Sequence, residues 1–464
     1  MAASVSTWPR RLVAQPWLLV FVPINAATAG FGVVLPLLIL IPLHGHWADV
    51  AIAALLYNVA IVAASVLWGH LSDRFARRRA FLFANYLSFG LLYLALTVVP
   101  SIPVLEGLYV LVGLVAPAGA SASNLLILER FTERDRPRAY ANFQEVSIVG
   151  SLVGLLLGYA WTVSGRSLEP LLYLLGSLAL VSALWALVSV RDPPRTLTTL
   201  SVAHHPESLM SRLRGATERG LIPFFPHRPR WQADSFRRFW RWARQELRHE
   251  LPLILAAGFL FNFASNLFNI SYTPYLYAAG LGAASIFLVN FANTFAQGVV
   301  FPVSGGLSER IGPDRLVRHA SYVRSLGYLA VALLTLVSFA GGLAFGVNLI
   351  VYAVLGGAIA LYSTASSLLL FRSVAHRDPG RLLGVNSALG GVAAILGALA
   401  AGVLSFVGSY RLVFLIAAGA LLASLPIWSA ATEAYGRAHE RPPAAPRRDE
   451  PNVGGPAPAG VADS

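Results

Sequence analysis

Residues 69–79 read GHLSDRFARRR, and 236 positions later residues 305–315 read GGLSERIGPDR. Each run sits in a short basic link between two long apolar segments. Gly69, Leu71, Asp73, Arg74 and Arg77 are matched by Gly305, Leu307, Glu309, Arg310 and Pro313, and only the last breaks the pattern. A Gly-x-Leu-x-acid-Arg turn repeated at corresponding places in two halves points to a membrane chain built by internal duplication.

Working outward, 56% of the 464 residues are hydrophobic and only 12% are charged. That is too apolar for the surface of the two or three soluble domains the length alone would suggest. The apolar residues fall in runs of about 20, the length a helix needs to cross a roughly 30 Å hydrocarbon layer. Twelve such runs can be marked, near 17–40, 50–70, 80–100, 103–127, 141–163, 168–190, 251–277, 284–304, 319–341, 344–371, 382–406 and 411–431. Spanning barrels are excluded, because they are built from alternating strands of roughly 10 residues. The first run follows Arg10 and Arg11, as a signal-peptide core would. It is longer than the usual core of roughly 7–15 residues and no small-residue cleavage site closes it, so it is expected to remain as the first span.

Cysteine is absent, which excludes disulfides and thiolate metal sites. All 35 basic residues are Arg, a bias that a GC-rich genome explains better than any mechanism. The net charge of +13 would suit a nucleic-acid binder, but its placement argues against one. The links after runs two, four, eight and ten carry 14 Arg, whereas the six links on the other side carry two, Arg166 and Arg411. Arg concentrates in the cytoplasmic links of membrane proteins. The reading is therefore a multi-pass protein of the cell (inner) membrane, with both termini and the central loop in the cytoplasm.

Two halves, 1–190 and 251–432, flank a polar loop at 191–250, and a tail follows at 433–464. The loop ends in SFRRFWRWARQELRHE, where Phe236, Phe239, Trp240 and Trp242 mix with Arg237, Arg238, Arg241 and Arg244. That composition suits a helix lying on an anionic leaflet. Aromatics among basic residues can also stack on nucleic acid, but beside a transmembrane helix the expected partner is the lipid bilayer and not nucleic acid. The tail, rich in Pro, Ala and Gly, reads as disordered. The duplication extends further: NAATAGFGVVLP (25–36) parallels NFASNLFNISYTP (262–274), and NLLILERFTERDRPRAY (124–140) parallels SSLLLFRSVAHRDPGRL (366–382).

Taken together, these motifs resemble the major facilitator superfamily, whose signature loop joins helices two and three and returns in weaker form between helices eight and nine. The family pattern has Gly at the eighth position; Gly312 supplies it in the second copy, whereas Ala76 stands in the first. The resemblance covers roughly 17–432. It implies an all-α polytopic membrane protein of twelve transmembrane helices in two pseudo-symmetric six-helix bundles. A central cavity would open to alternate sides by rocking one bundle against the other, moving a small organic solute. A monomer without cofactor or metal is expected.

Within this frame the repeated loop has a physical role as a latch. Gly69 and Gly305 would allow close approach of backbone. Asp73 would face the positive end of a helix in the other half, expected to be span eleven, or accept charged hydrogen bonds. Arg74, Arg77 and Arg78 could pair with Glu129 or Glu133, and Glu309 and Arg310 repeat the pattern. Buried charges in a membrane mark ion pathways, and this chain has few. Apart from Glu106, Glu169 and Arg411 at the Arg-poor ends of their runs, only Arg324, placed near the start of span nine, and Glu145, one turn into span five, fall inside a run. Glu145 is the one candidate for proton coupling, and pairing with Arg138 or Arg134 at the interface is the alternative. Drug–proton antiporters of the family carry an Arg in span four and a Gly-Pro pair in span five; GLVAPAGASAS from Gly113 has no Arg, and Leu155 stands where Pro would be. Gly150, Gly154 and Gly158, four residues apart, read as a helix-packing face.

Neutral polar residues form the other pattern. Asn262, Asn266 and Asn269 share one face of span seven, continued by Tyr272 or Thr273, and Asn25 and Thr28 hold the matching place in span one. Amides facing lipid would be unsatisfied, so these groups face protein or water. They are the expected cavity wall, suited to neutral or weakly charged solutes. Asn290, Asn293 and Gln297 repeat the spacing in span eight, where helix packing is the expected use. No HExxH, GxSxG or Lys-bearing phosphate loop is present, so an enzyme is not expected. Within transport, a permease competes with a proton-coupled multidrug efflux antiporter; outside it, the rival is a transporter-like sensor or scaffold acting through the central loop.

The Arg asymmetry makes a direct prediction. Single cysteines placed at Ser72, Arg136, Arg230 and Asp378 are expected to react with impermeant thiol reagents only from the cytoplasmic side. Labelling of any two from outside overturns the orientation.

Overall fold

The structure, a computed structural model, describes residues 16–75, 77–131, 136–192, 251–336, 342–374 and 379–439. Those residues form twelve α-helices, and there is no strand among them. They are α1 Phe21–Leu40, entered through a 3-10 turn at Pro16–Val20, α2 Trp47–Phe75, α3 Arg78–Ala95, α4 Ile102–Arg130, α5 Arg136–Val163 and α6 Leu171–Ser189. The second half contributes α7 Leu251–Ala278, α8 Ala283–Ile311, α9 Pro313–Leu334, α10 Gly342–Val374, α11 Pro379–Val407 and α12 Tyr410–His439. The central loop from 193 to 250, with its Arg/Trp segment, and the tail from 440 lie outside the described residues. Residues 433–439, expected in the tail, continue α12.

Eleven of the helices are long and apolar enough to cross a membrane. The twelfth is α9, whose first half carries Arg315, Arg318 and His319, with Arg324 at its middle. The sequence placed this span at 319–341, but the helix already begins at Pro313, directly after Gly312. Gly312 is the whole link between α8 and α9 and has φ +91°, a region that L side chains rarely adopt. The family-type glycine at the eighth position is thus explained by backbone geometry. Among the described residues the close approach expected at Gly305 is not made: a Cβ there would meet none of them within 4 Å.

Packing repeats between the halves. In the first, α1 packs on α5 and α6, α2 on α4, and α3 on α4 and α6; in the second, α7 packs on α11 and α12, α8 on α10, and α9 on α10 and α12. Each pair maps onto its partner six helices later, which is the sequence duplication expressed in space. Small residues make these contacts close. A Cβ added to Gly154 would collide with the Ala26 backbone of α1, and one at Gly150 would stand 2.5 Å from the Val22 carbonyl. Gly158 instead faces the Phe287 ring of α8.

The bundles meet along two seams, α2 with α11 and α5 with α8. Call the helix ends at 75, 130, 311 and 374 the Arg-rich end and the opposite ends the Arg-poor end. Ala51 faces Gly402, Asn58 Nδ2 donates to Ala394 O at 3.5 Å, and Val62 Cγ2 lies 2.6 Å from the Cβ position of Gly391. In the other seam Gly158 meets Phe287 and Gly298 meets Ile148. At the Arg-poor end Trp47 stacks on Tyr410, ring centroids 4.3 Å apart. Among the described residues, these bundle-to-bundle contacts run from the Arg-poor end to about the middle of the helices. The molecule is closed at the Arg-poor end.

Gly154→Ala is expected to destabilise by about 1–3 kcal/mol, because backbone cannot yield to an added methyl. Gly32→Ala, whose Cβ would meet nothing, should leave the melting temperature unchanged or raise it. Equal melting temperatures in detergent would refute the packing role of the α5 stripe.

Candidate functional site

At about 100° per residue Asn262, Asn266 and Asn269 share one face of α7. Because α7 packs on α11 and α12 and meets α1, α2 and α8 only sparsely, its remaining face fronts the space between the bundles. Asn262 and Asn269 are exposed and Asn266 is half-buried. Asn262 Nδ2 donates to Gly258 O at 2.8 Å and Asn266 Nδ2 to Asn262 O at 2.9 Å. Each amide therefore keeps a carbonyl oxygen and a second N–H to offer. Asn269 makes no side-chain hydrogen bond to the described residues.

On α1, Asn25 Nδ2 donates to Phe21 O at 2.7 Å and Thr28 Oγ1 to Ile24 O at 3.0 Å, both side chains half-buried. Glycines fix the backs of the two asparagines: the Cβ position of Gly150 is 3.0 Å from Asn25 Cβ, and that of Gly397 is 3.0 Å from Asn266 Cβ.

Tyr272 does not belong to this wall. Three residues beyond Asn269, it is turned about 80° away from Asn262 on the helix and is only 1% exposed. Its ring packs on Phe268, Tyr352 and Phe414, and its hydroxyl donates to Asn348 Oδ1 of α10 at 3.1 Å. On α8, Asn293 Nδ2 donates to Tyr352 O of α10 at 2.8 Å and Gln297 Nε2 to Asn293 Oδ1 at 2.8 Å, a hydrogen-bonded seam inside the second bundle.

The expected place of Arg324, near the start of span nine, is also corrected. With α9 starting at Pro313, Arg324 lies halfway along the helix and is 3% exposed. Its Nε donates to Tyr328 Oη at 2.7 Å. The guanidinium carbon sits 5.1 Å from the Phe261 ring centroid of α7 and 5.3 Å from that of Tyr328. Phe261 in turn stacks on Tyr362 of α10 at 3.3 Å and is the neighbour of exposed Asn262. The signal was in the sequence, an Arg inside an apolar run, but the misplaced helix start put it at the interface.

At the Arg-rich end, Gly69, Asp73 and Arg74 lie in the last turns of α2, and their side chains are outside the described residues, as are those of Glu129, Glu133, Arg134 and Arg138. Arg77 is exposed and Arg78 buried at the start of α3. Asp192 Oδ1 accepts from the Arg79 backbone N–H at 2.9 Å, capping α3. Arg130 donates to Arg191 O at 2.6 Å and lies 5.2 Å over the Trp17 ring. In the second copy Glu309 and Arg310 are exposed, without an ion pair among the described residues. Glu145 is half-buried on α5.

The profile of the family described as Major Facilitator Superfamily matches residues 17–348 and 254–461. The chain belongs to the major facilitator superfamily. Its fold is that of solved members: a D-xylose–proton symporter (TM-score 0.66, 15% identity, 90% of this chain and 96% of that one) and a bacterial homologue of the human lysosomal transporter Spinster, inward-facing and unoccupied (0.62, 14%, 91% and 96%). The nucleoside transporter NupG is a third (0.60, 13%, 90% and 98%). No curated protein matches the chain by sequence. This major facilitator is a membrane transporter of the permease type, not an enzyme.

Two substitutions separate wall from packing in this transporter. Tyr272→Phe leaves Asn348 Oδ1 without its donor and is expected to cost about 1 kcal/mol of stability. Asn269→Ala should not move the melting temperature. A destabilisation by Asn269→Ala equal to that of Tyr272→Phe would place Asn269 in the packed core.

Proposed function

We propose that the protein carries a small polar organic solute across the cell membrane by alternating access, binding it at mid-depth between α1 and α7. The observation that carries this reading is the pair of seams, α2–α11 and α5–α8, with contacts from the Arg-poor end to the middle. With the Arg-rich end and both termini in the cytoplasm, this is the state facing inward. The amides of Asn25, Asn262, Asn266 and Asn269 and the Thr28 hydroxyl are the solute contacts. Two similar solved proteins are a D-xylose–proton symporter and a nucleoside transporter, and amide donors and acceptors suit polar molecules of that kind.

The signature loop acts as the latch of the inward-closed state, with Asp73 as its charged element and Arg74, Arg77, Arg78, Glu309 and Arg310 around it. Proton coupling, if the carrier is coupled, rests on Glu145. Substrate-dependent flux in proteoliposomes of the purified chain tests transport against a sensor or scaffold role. Asp73→Asn is expected to slow flux strongly with little change in ligand affinity, because the change lies on the equilibrium between states. Unchanged turnover would reduce the loop to a topological signal. Where flux responds to a pH gradient, Glu145→Gln should abolish that response; persistence would assign coupling elsewhere.

A further inference from the structure

We infer that Arg324 is the counter-charge for an anionic group, and that the solute is an organic carboxylate rather than an uncharged polar molecule. This rests on the transport reading above and deepens it. The residues of the second half from 251 to 439 include four acids, Glu309, Asp314, Asp378 and Glu433, all near the Arg-rich end. Arg324 lies eleven residues into α9, about 16 Å along the helix axis from its start, and no described carboxylate pairs with it. Only its Nε finds an acceptor, Tyr328 Oη. Among the described residues its terminal nitrogens have no acceptor within hydrogen-bond distance, and the side chain is 3% exposed.

The position ties this cation to the solute site. Phe261, against which the guanidinium lies, precedes exposed Asn262 on α7. Between α7 and α10 stand the stacked rings of Phe261 and Tyr362, so an anion coming to the guanidinium from the space between the bundles has to part them. Two terminal nitrogens side by side present the planar fork that a carboxylate accepts with both oxygens. One unpaired cation calls for one negative charge, and the rings of Phe261, Tyr328 and Tyr362 suit an apolar body behind it.

The test is thermal unfolding of the purified full chain with acid and amide pairs of one shape: acetate and acetamide, benzoate and benzamide, indole-3-acetate and indole-3-acetamide. At least one acid is expected to raise the melting temperature of the wild type in proportion to the logarithm of its concentration, with its amide inactive. Arg324→Met should weaken that acid by roughly thirtyfold or more, with its own melting temperature no lower than wild type, since it removes an unpaired buried charge. Arg324→Lys should retain part of the response.

The inference is overturned if no acid outperforms its amide, if chloride or inorganic phosphate stabilises as strongly as the acids, or if Arg324→Met melts well below the wild type. The last result would make the cation a packing element. Uptake of an uncharged solute without acid preference would sink this inference and leave transport standing. Acid binding through Arg324 without flux would do the reverse.

Discussion

Hydrocarbon offers no hydrogen bonds, so every polar group at depth in this chain must find a partner in protein or face an aqueous space. The backbone answers by forming long helices. The side chains answer mostly by bonding back to the carbonyl four residues earlier: Asn25 to Phe21, Thr28 to Ile24, Asn262 to Gly258, Asn290 to Ile286. A few bridge helices instead, as Asn293 does to Tyr352 and Ser182 to the Val20 carbonyl. Once these partners are counted, the groups with spare capacity stand out, and they are few. Among the described residues they include the amide face of α7, the terminal nitrogens of Arg324, the Ser265 hydroxyl and the Trp428 indole.

The same constraint shapes how the bundles can move. Within each bundle, glycines bring backbones together and fix helices in place, as Gly154 does against Ala26 and Gly356 against Asn293. Between bundles, the contacts that can be named are small residues against aliphatic or aromatic side chains, plus one long hydrogen bond from Asn58. The Trp47–Tyr410 stack adds about 0.5–1.5 kcal/mol beyond its buried area. Such seams are separable without stranding a buried charge. Rigid halves joined by a weakly polar seam are what a rocking motion requires.

The fold was legible because its signals are long: twelve apolar runs, an Arg asymmetry and a repeated turn. The glycine stripe of α5 was legible for the same reason, since spacing of four places all three residues on one face. What the sequence obscured was local. The run of α9 was started late because Arg315, Arg318 and His319 disguise its first turns, and this moved Arg324 from the middle of a helix to its edge. Tyr272 was read as part of the amide face, although three further residues turn it toward α10, where Asn348 waits 76 positions away. No periodicity in one helix reports which face a partner that distant will cover. The pairing of Asn25 with Gly150 and of Asn266 with Gly397 is equally tertiary.

The buried cation shows why magnitude matters more than motif. Taking an ion out of water costs several kcal/mol even after relaxation. Against this, each ring contact offers about 0.5–2 kcal/mol, and a hydrogen bond to a charged group about 1.5–3 kcal/mol. Phe261, Tyr328 and the Tyr328 hydroxyl therefore come close to balancing the cost without any acid. That near-balance lets the helix fold with Arg324 inside while leaving its outer nitrogens unspent. Had an acid stood opposite, as acids do at the Arg-rich end, the charge would be neutralised within the protein and nothing would remain for a ligand. A cation held by rings and one hydroxyl is stable enough to persist and still open to pairing, because among the described residues no carboxylate already pairs with it.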